Sequence, residues 1–231
     1  MSDDILTASP RRSFLGRLAA GTAALGLTAF LPVTACAAEK TSASASDTTA
    51  KPADKNAEWP GSLKGKHKQL VDAFAFNEGF PLAFAYTFLL PYPATDPGAA
   101  TAVVVLRHAG FPMALTDDIW AKYKIGKTFN IIDPVTKAPA VRNFLYHAAP
   151  GSLLVDDMAI DKLMARGTVF GACNVALHVF SAKLAPNAGV TADQAAKEWT
   201  AGIIPGITVI PSGTWGVNRA QEAGCTYCAG G

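Results

Sequence analysis

The chain has 231 residues, of which 50% are hydrophobic and 16% are charged, and its net charge is +2. This hydrophobic share excludes a wholly disordered protein, and the near-neutral balance is unlike the clustered basic surface of nucleic-acid-binding proteins. Four cysteines are too few for a small disulfide-stabilised scaffold. The length fits one domain of ordinary size with attachments.

The N-terminus carries the pattern of an export signal. Arg11-Arg12-Ser13-Phe14-Leu15 is a twin-arginine signature, and an apolar run follows it to Phe30. A membrane span needs about 20 predominantly apolar residues, whereas this run is shorter and contains glycines. We therefore predict a twin-arginine signal peptide over residues 1–37 and a periplasmic or other extracytoplasmic location.

Two cleavage patterns overlap at the end of this signal. Val33-Thr34-Ala35-Cys36 resembles a lipobox, in which Cys36 would be lipidated and would tether the protein to a membrane. Ala35-Cys36-Ala37 also fits the small-x-small pattern of ordinary signal peptidase, so both routes stay open. Residues 38–60 have almost no apolar bulk, which predicts a disordered linker before a folded domain at 61–231.

Within the domain, helix-like and strand-like segments alternate. The first predicted helix covers residues 66–90 with a break near 79–81, and the continuous β-branched run at 101–106 predicts a strand buried on both faces. We expect residues 128–146 to form a loop with one short strand. The other predicted elements are helices over 117–123, 155–165, 173–185, 192–199 and 211–222, and strands over 168–172, 207–210 and, more weakly marked, 225–228.

This alternation predicts an α/β fold with a mainly parallel sheet and helices on both faces. Ligands on such sheets bind at the carboxyl ends of the strands. Three polar segments occupy those ends, namely Arg107-His108, Cys173-Asn174 and Pro211-Ser212-Gly213. We therefore treat Arg107, His108, Asn174 and Ser212 as candidate binding residues.

Cys173 is the candidate catalytic residue, because it stands where a predicted strand becomes a helix. Unpaired amide groups and the helix dipole at such a position lower the pKa of a thiol and stabilise its thiolate. A thiolate suits nucleophilic attack, persulfide formation or metal ligation. The alternative is a small buried apolar cysteine without chemistry.

Cys225 and Cys228 form a C-x-x-C pair near the end of the chain. After export the pair could form a disulfide, or it could ligate a soft metal such as copper(I) or zinc, with His108 as a further candidate ligand. A c-type haem site is excluded because Ala229 replaces the required histidine.

Three segments together resemble the DsrE/DsrF-like sulfur-relay family. Cys173-Asn174-Val175-Ala176-Leu177 matches its Cys-Gly/Asn-x-x-Leu helix start, Pro211-Ser212-Gly213 its strand-ending Pro-x-Gly, and Gln221-Glu222-Ala223-Gly224 its closing Gln-x-x-Gly. The resemblance covers roughly residues 101–227. It implies a three-layer α/β/α domain assembled as a trimer or hexamer.

The resemblance also implies sulfur chemistry in which Cys173 carries persulfide sulfur, exchanged with a donor or acceptor protein. The export signal and the terminal C-x-x-C pair are not general features of that family. Our leading hypothesis is therefore an exported protein that binds or relays sulfane sulfur. The alternatives are a periplasmic module that binds a metal or small ligand, and a structural oligomer without catalysis.

Overall fold

The computed structural model describes residues 58–61, 63–96 and 98–231, and within them the chain forms an α/β domain around a five-stranded sheet. The predicted signal peptide, the lipobox at Cys36 and most of the predicted linker lie outside these residues. No helix of the described part is long and apolar enough to cross a membrane. The strands are β1 (His67–Ala73), β2 (Ala100–Leu106), β3 (Val169–Cys173), β4 (Thr208–Ile210) and β5 (Thr226–Ala229).

All neighbouring strands are parallel, in the spatial order β4-β3-β2-β1-β5. Their carboxyl ends therefore meet along one edge of the sheet, which confirms the predicted parallel arrangement. The helices that connect the strands are α1 (Phe80–Leu89), α2 (Asp117–Lys122), α3 (Ile125–Phe129), α4 (Ile160–Ala165), α5 (Asn174–Ala188), α6 (Ala192–Ala201) and α7 (Gly213–Glu222).

The sheet separates two hydrophobic cores, because successive side chains of a strand point to opposite faces. On one face, Val71 and Val104 join a large core with residues of helices α1 to α6. On the other face, Leu70 and Val103 pack in a smaller core with residues of α7. Helices thus cover both faces of the sheet, in agreement with a three-layer α/β/α domain. Trp59 is buried in the smaller core.

The predicted helix over 66–90 is wrong in its first half. Residues His67–Ala73 form β1, which pairs with β2 along its whole length and with β5 on its other side. Lys68 and Gln69 break the apolar run that would mark a central strand. The phenylalanines that follow have helical spacing, so the preceding residues are predicted as part of the same helix. Here the backbone pairing of two neighbouring strands outweighs local propensity.

Two other segments differ from prediction in detail. The loop at 128–146 contains no strand, and only an isolated bridge joins Ile132 to Pro139. Buried Asp133 organises this loop, since its carboxylate accepts hydrogen bonds from the Val135 and Thr136 amides and from Arg142. The predicted helix over 155–165 is divided into a 3-10 turn at Asp156–Met158 and helix α4.

Candidate functional site at the carboxyl edge of the sheet

The predicted strand-end residues lie beside one another on the sheet. Leu106 of β2 pairs with Ala172 of β3, so Arg107 and Cys173 come next on adjacent strands. Asp72 lies on β1 and Tyr227 on β5, on the other side of β2. We call these four residues and Phe74 the strand-end cluster, which thus consists of Asp72, Phe74, Arg107, Cys173 and Tyr227.

Asp72 holds the Arg107 guanidinium in a two-point ion pair. Arg107 Nε donates to Asp72 Oδ1 at 2.6 Å, and Arg107 Nη2 donates to Asp72 Oδ2 at 2.7 Å. The Tyr227 hydroxyl donates to the same Asp72 Oδ2 at 2.9 Å. The Asp72 side chain is only 4% exposed and that of Arg107 is 23% exposed, so the pair is largely shielded from water. A two-point pair of this kind fixes the orientation of the guanidinium plane.

Two further contacts restrict Arg107. Its guanidinium carbon lies 4.7 Å from the centre of the Phe74 ring, in a cation–π arrangement. At the start of α7, Gly213 packs so closely on the Arg107 side chain that a Cβ atom there would collide with it. Arg107 is therefore positioned by β1, by Phe74 just after that strand and by the start of α7.

The electrostatics of the strand-end cluster follow from these contacts. The hydrogen bond to Asp72 is the main reason why the pKa of Arg107 is raised, while burial opposes the shift and the charges of Asp72, Tyr227 and Cys173 add to it. The hydrogen bond to Asp72 also raises the pKa of Tyr227. Arg107 is thus a permanent positive charge within electrostatic reach of the Cys173 sulfur.

Cys173 ends β3 and caps the 15-residue helix α5, as the sequence predicts. Its Sγ accepts a hydrogen bond from the Ala176 amide at 3.3 Å, and the residue is 6% exposed. The Cys173 sulfur therefore takes the place of the usual oxygen acceptor at the N-terminus of α5.

The other predicted binding residues border this cluster. His108 is exposed, with its ring stacked on that of Phe74 at 4.5 Å between centroids and 5° between planes. Asn174 is the half-buried first residue of α5. Ser212 caps α7, its hydroxyl accepting the Trp215 amide at 3.2 Å. Phe74 is therefore the contact that links His108 to Arg107.

The structure does not bring Cys225 and Cys228 together. Cys225 is buried in the smaller core, whereas Cys228 packs against the larger core on the opposite face of the sheet, and both are thiols. Burial raises the pKa of the Cys225 thiol to about 11, with Lys68 acting in the opposite sense. In the described part of the chain, no group of three or more His, Cys, Asp or Glu side chains is arranged to hold a metal ion.

Asp72, Phe74 and Tyr227 were missed by sequence reasoning. Asp72 and Phe74 fall within the segment that was predicted as helix, so their place at a strand end was hidden. One signal was available: Asp72 is a lone carboxylate between the apolar residues Val71 and Ala73. Tyr227 lies between the two cysteines of the C-x-x-C pair, and that motif indicates a role for the cysteines and not for the tyrosine.

Comparisons with known proteins add little to this site. No family model matches the chain, and no curated protein matches its sequence. One solved structure, a protein of unknown function from Methanobacterium thermoautotrophicum, is similar, with 15% identity and a TM-score of 0.39. The similarity covers 71% of this chain and 98% of that protein. Likeness at this level supports no conclusion about the function of the chain.

Proposed function

We propose that this protein is an exported member of the DsrE/DsrF-like sulfur-relay family that carries sulfane sulfur on Cys173. The observation that carries the proposal is the setting of the Cys173 Sγ, which accepts the Ala176 amide hydrogen beside the positive charge of Arg107. The same setting would stabilise the anionic terminal sulfur of a persulfide.

The chemical step is a thiol–persulfide exchange. The Cys173 thiolate attacks the outer sulfur of a donor persulfide, the donor S–S bond breaks, and a new S–S bond forms on Cys173. The donor leaves as a thiolate and takes up a proton, so that no external oxidant is needed. Arg107 and the α5 amide groups are positioned to bind the anionic sulfur, and His108 stands at the exposed side of the Phe74 ring.

The cellular part of the proposal comes from the sequence. The twin-arginine signature directs a folded protein across the membrane, and Cys36 offers a lipid anchor if the lipobox is used. The family resemblance adds a trimer or hexamer and a partner protein that donates or accepts sulfur. A soft-metal site at Cys225 and Cys228 is not favoured, because the two thiols face opposite sides of the sheet.

The experiment is intact-protein and peptide mass spectrometry of the protein after treatment with polysulfide. We expect an adduct of about 32 Da, one sulfur atom, on Cys173 that reductant removes. The variant C173S should lose this adduct, whereas the matched variants C225S and C228S should keep it. Sulfur loading that persists in C173S would refute the proposal.

A further inference from the structure

A partly open, mainly apolar cleft lies apart from the strand-end cluster. It has a volume of about 640 Å³, within the range of about 300–1,000 Å³ typical of small-molecule sites. Its walls come from the segments 76–83, 129–134, 144 and 152–158, and eleven of its fifteen lining residues are apolar. Four of them are phenylalanines: Phe76, Phe80, Phe129 and Phe144.

One polar group in this wall has no partner. Ser152 is 9% exposed, and its Oγ makes no hydrogen bond to any described residue. A buried hydroxyl without a partner is costly, so such groups are usually satisfied by a ligand or by water. The Ser152 hydroxyl therefore offers a buried hydrogen-bonding position in a wall that is mainly apolar.

The described lining of the cleft carries a negative charge and no positive charge. Among the described residues that line it, Glu78 is the only charged one, and none of them is Lys, Arg or His. Glu78 has a left-handed backbone with a φ of 52°, between Asn77 at 41° and Gly79 at 85°. Strained backbone of this kind persists only where the surrounding structure enforces it. Here Gly79 packs against Leu145, and the turn places Glu78 at the cleft.

We propose that this cleft binds a small organic cation, an amine with a mainly apolar body. The phenylalanine rings accommodate the body, and their electron-rich faces attract a positive charge. Glu78 provides the opposite charge, and the Ser152 hydroxyl accepts a hydrogen bond from an N–H group. An organic anion would meet one carboxylate and no basic side chain, so that the cleft discriminates against it.

The test uses three naphthalene probes of similar size: 1-naphthylmethylamine, 1-naphthylmethanol and 1-naphthoate. Binding to the full chain is measured by titration calorimetry and by ligand-observed NMR. We expect saturable binding of the amine about tenfold tighter than that of the carboxylate, with the alcohol in between. No saturable amine binding, or a carboxylate that binds as tightly as the amine, would overturn the proposal.

Variants locate the binding to the cleft. E78Q should lower amine affinity about fivefold and leave the alcohol unchanged, whereas D193N, an exposed carboxylate on α6, should change neither. F80A should weaken amine and alcohol alike, with exposed Leu90 at the end of α1 replaced in L90A as its control. Equal effects of F80A and L90A, or none from E78Q, would show that the probes bind elsewhere.

Discussion

Cys173 and Cys225 are almost equally buried, at 6% and 7% exposure, but their surroundings are opposite. Cys173 ends a strand in the strand-end cluster, accepts an amide hydrogen bond and lies within electrostatic reach of Arg107. Cys225 lies among apolar side chains of the smaller core, where burial disfavours its thiolate. The comparison shows that two equally buried cysteines can differ in their hydrogen bonding and in the charges around them, which the exposed fraction alone does not reveal.

The largest expected effect is on thiol reactivity. Because the pKa of Cys225 is about 11, only about one Cys225 side chain in ten thousand is a thiolate at pH 7. We expect iodoacetamide to label Cys173 at least tenfold faster than Cys225 at that pH, measured peptide by peptide with mass spectrometry. The rate at Cys225 should rise about tenfold per pH unit up to about pH 11.

Cys228 is less buried than Cys173 and Cys225, so its labelling rate provides the internal control for access of the reagent. The comparison fails if Cys225 is labelled as fast as Cys173 at pH 7. A Cys225 rate that is independent of pH between 7 and 10 would equally contradict the raised pKa.

The second effect concerns the ion pair that positions Arg107. The variant D72N keeps the size of the side chain but removes its charge and leaves Arg107 largely buried beside a neutral amide. Removing one partner of a buried pair costs about 3–5 kcal/mol, and the partial exposure of Arg107 places the expected loss at the lower end, about 3 kcal/mol. Urea unfolding of D72N and of the unsubstituted protein measures this loss in the free energy of unfolding.

The control for this variant is D193N, which removes an exposed carboxylate on α6. Because Asp193 lies in the first turn of α6, we expect that change to cost at most about 1 kcal/mol, well below the loss in D72N. If D72N and D193N have equal stabilities, Asp72 does not hold Arg107 in solution.

The sequence predicts the parallel sheet well because β2 is apolar and rich in β-branched residues and β3 is a short, mostly apolar run, so that both strands are recognisable from local pattern alone. It also predicts the position of Cys173, since the change from a strand to a helix is a local signal. The strand β1 could not be found in this way. Its polar residues are tolerated only because β2 and β5 flank it, and that pairing connects residues far apart in the chain.

The same limit applies to the contacts around Arg107 and to the C-x-x-C pair. Spacing suggests that Cys225 and Cys228 share one site, but Cys225 lies just before β5 in the smaller core, whereas Cys228 lies within β5 and packs against the larger core. Likewise, the sequence identifies Arg107 at a strand end but not Asp72 as its partner, because the two meet only through the register of β1 and β2. Tertiary pairing, not composition, supplies this part of the site.

The smallest effect tests the outer member of the strand-end cluster. Y227F removes one hydrogen bond to Asp72 from a side chain that is 51% exposed, so we expect a loss of about 1 kcal/mol at pH 7.

The folded-state pKa of Tyr227 is raised above its unfolded value of about 10, which means that folding favours the neutral hydroxyl. This contribution is complete below pH 10 and is lost as the pH rises through the folded value. The stability difference between the unsubstituted protein and Y227F should therefore shrink above pH 10. A difference that stays constant from pH 7 to 11 would mean that Tyr227 does not donate to Asp72, and Arg107 would then be held by its ion pair and by Phe74 alone.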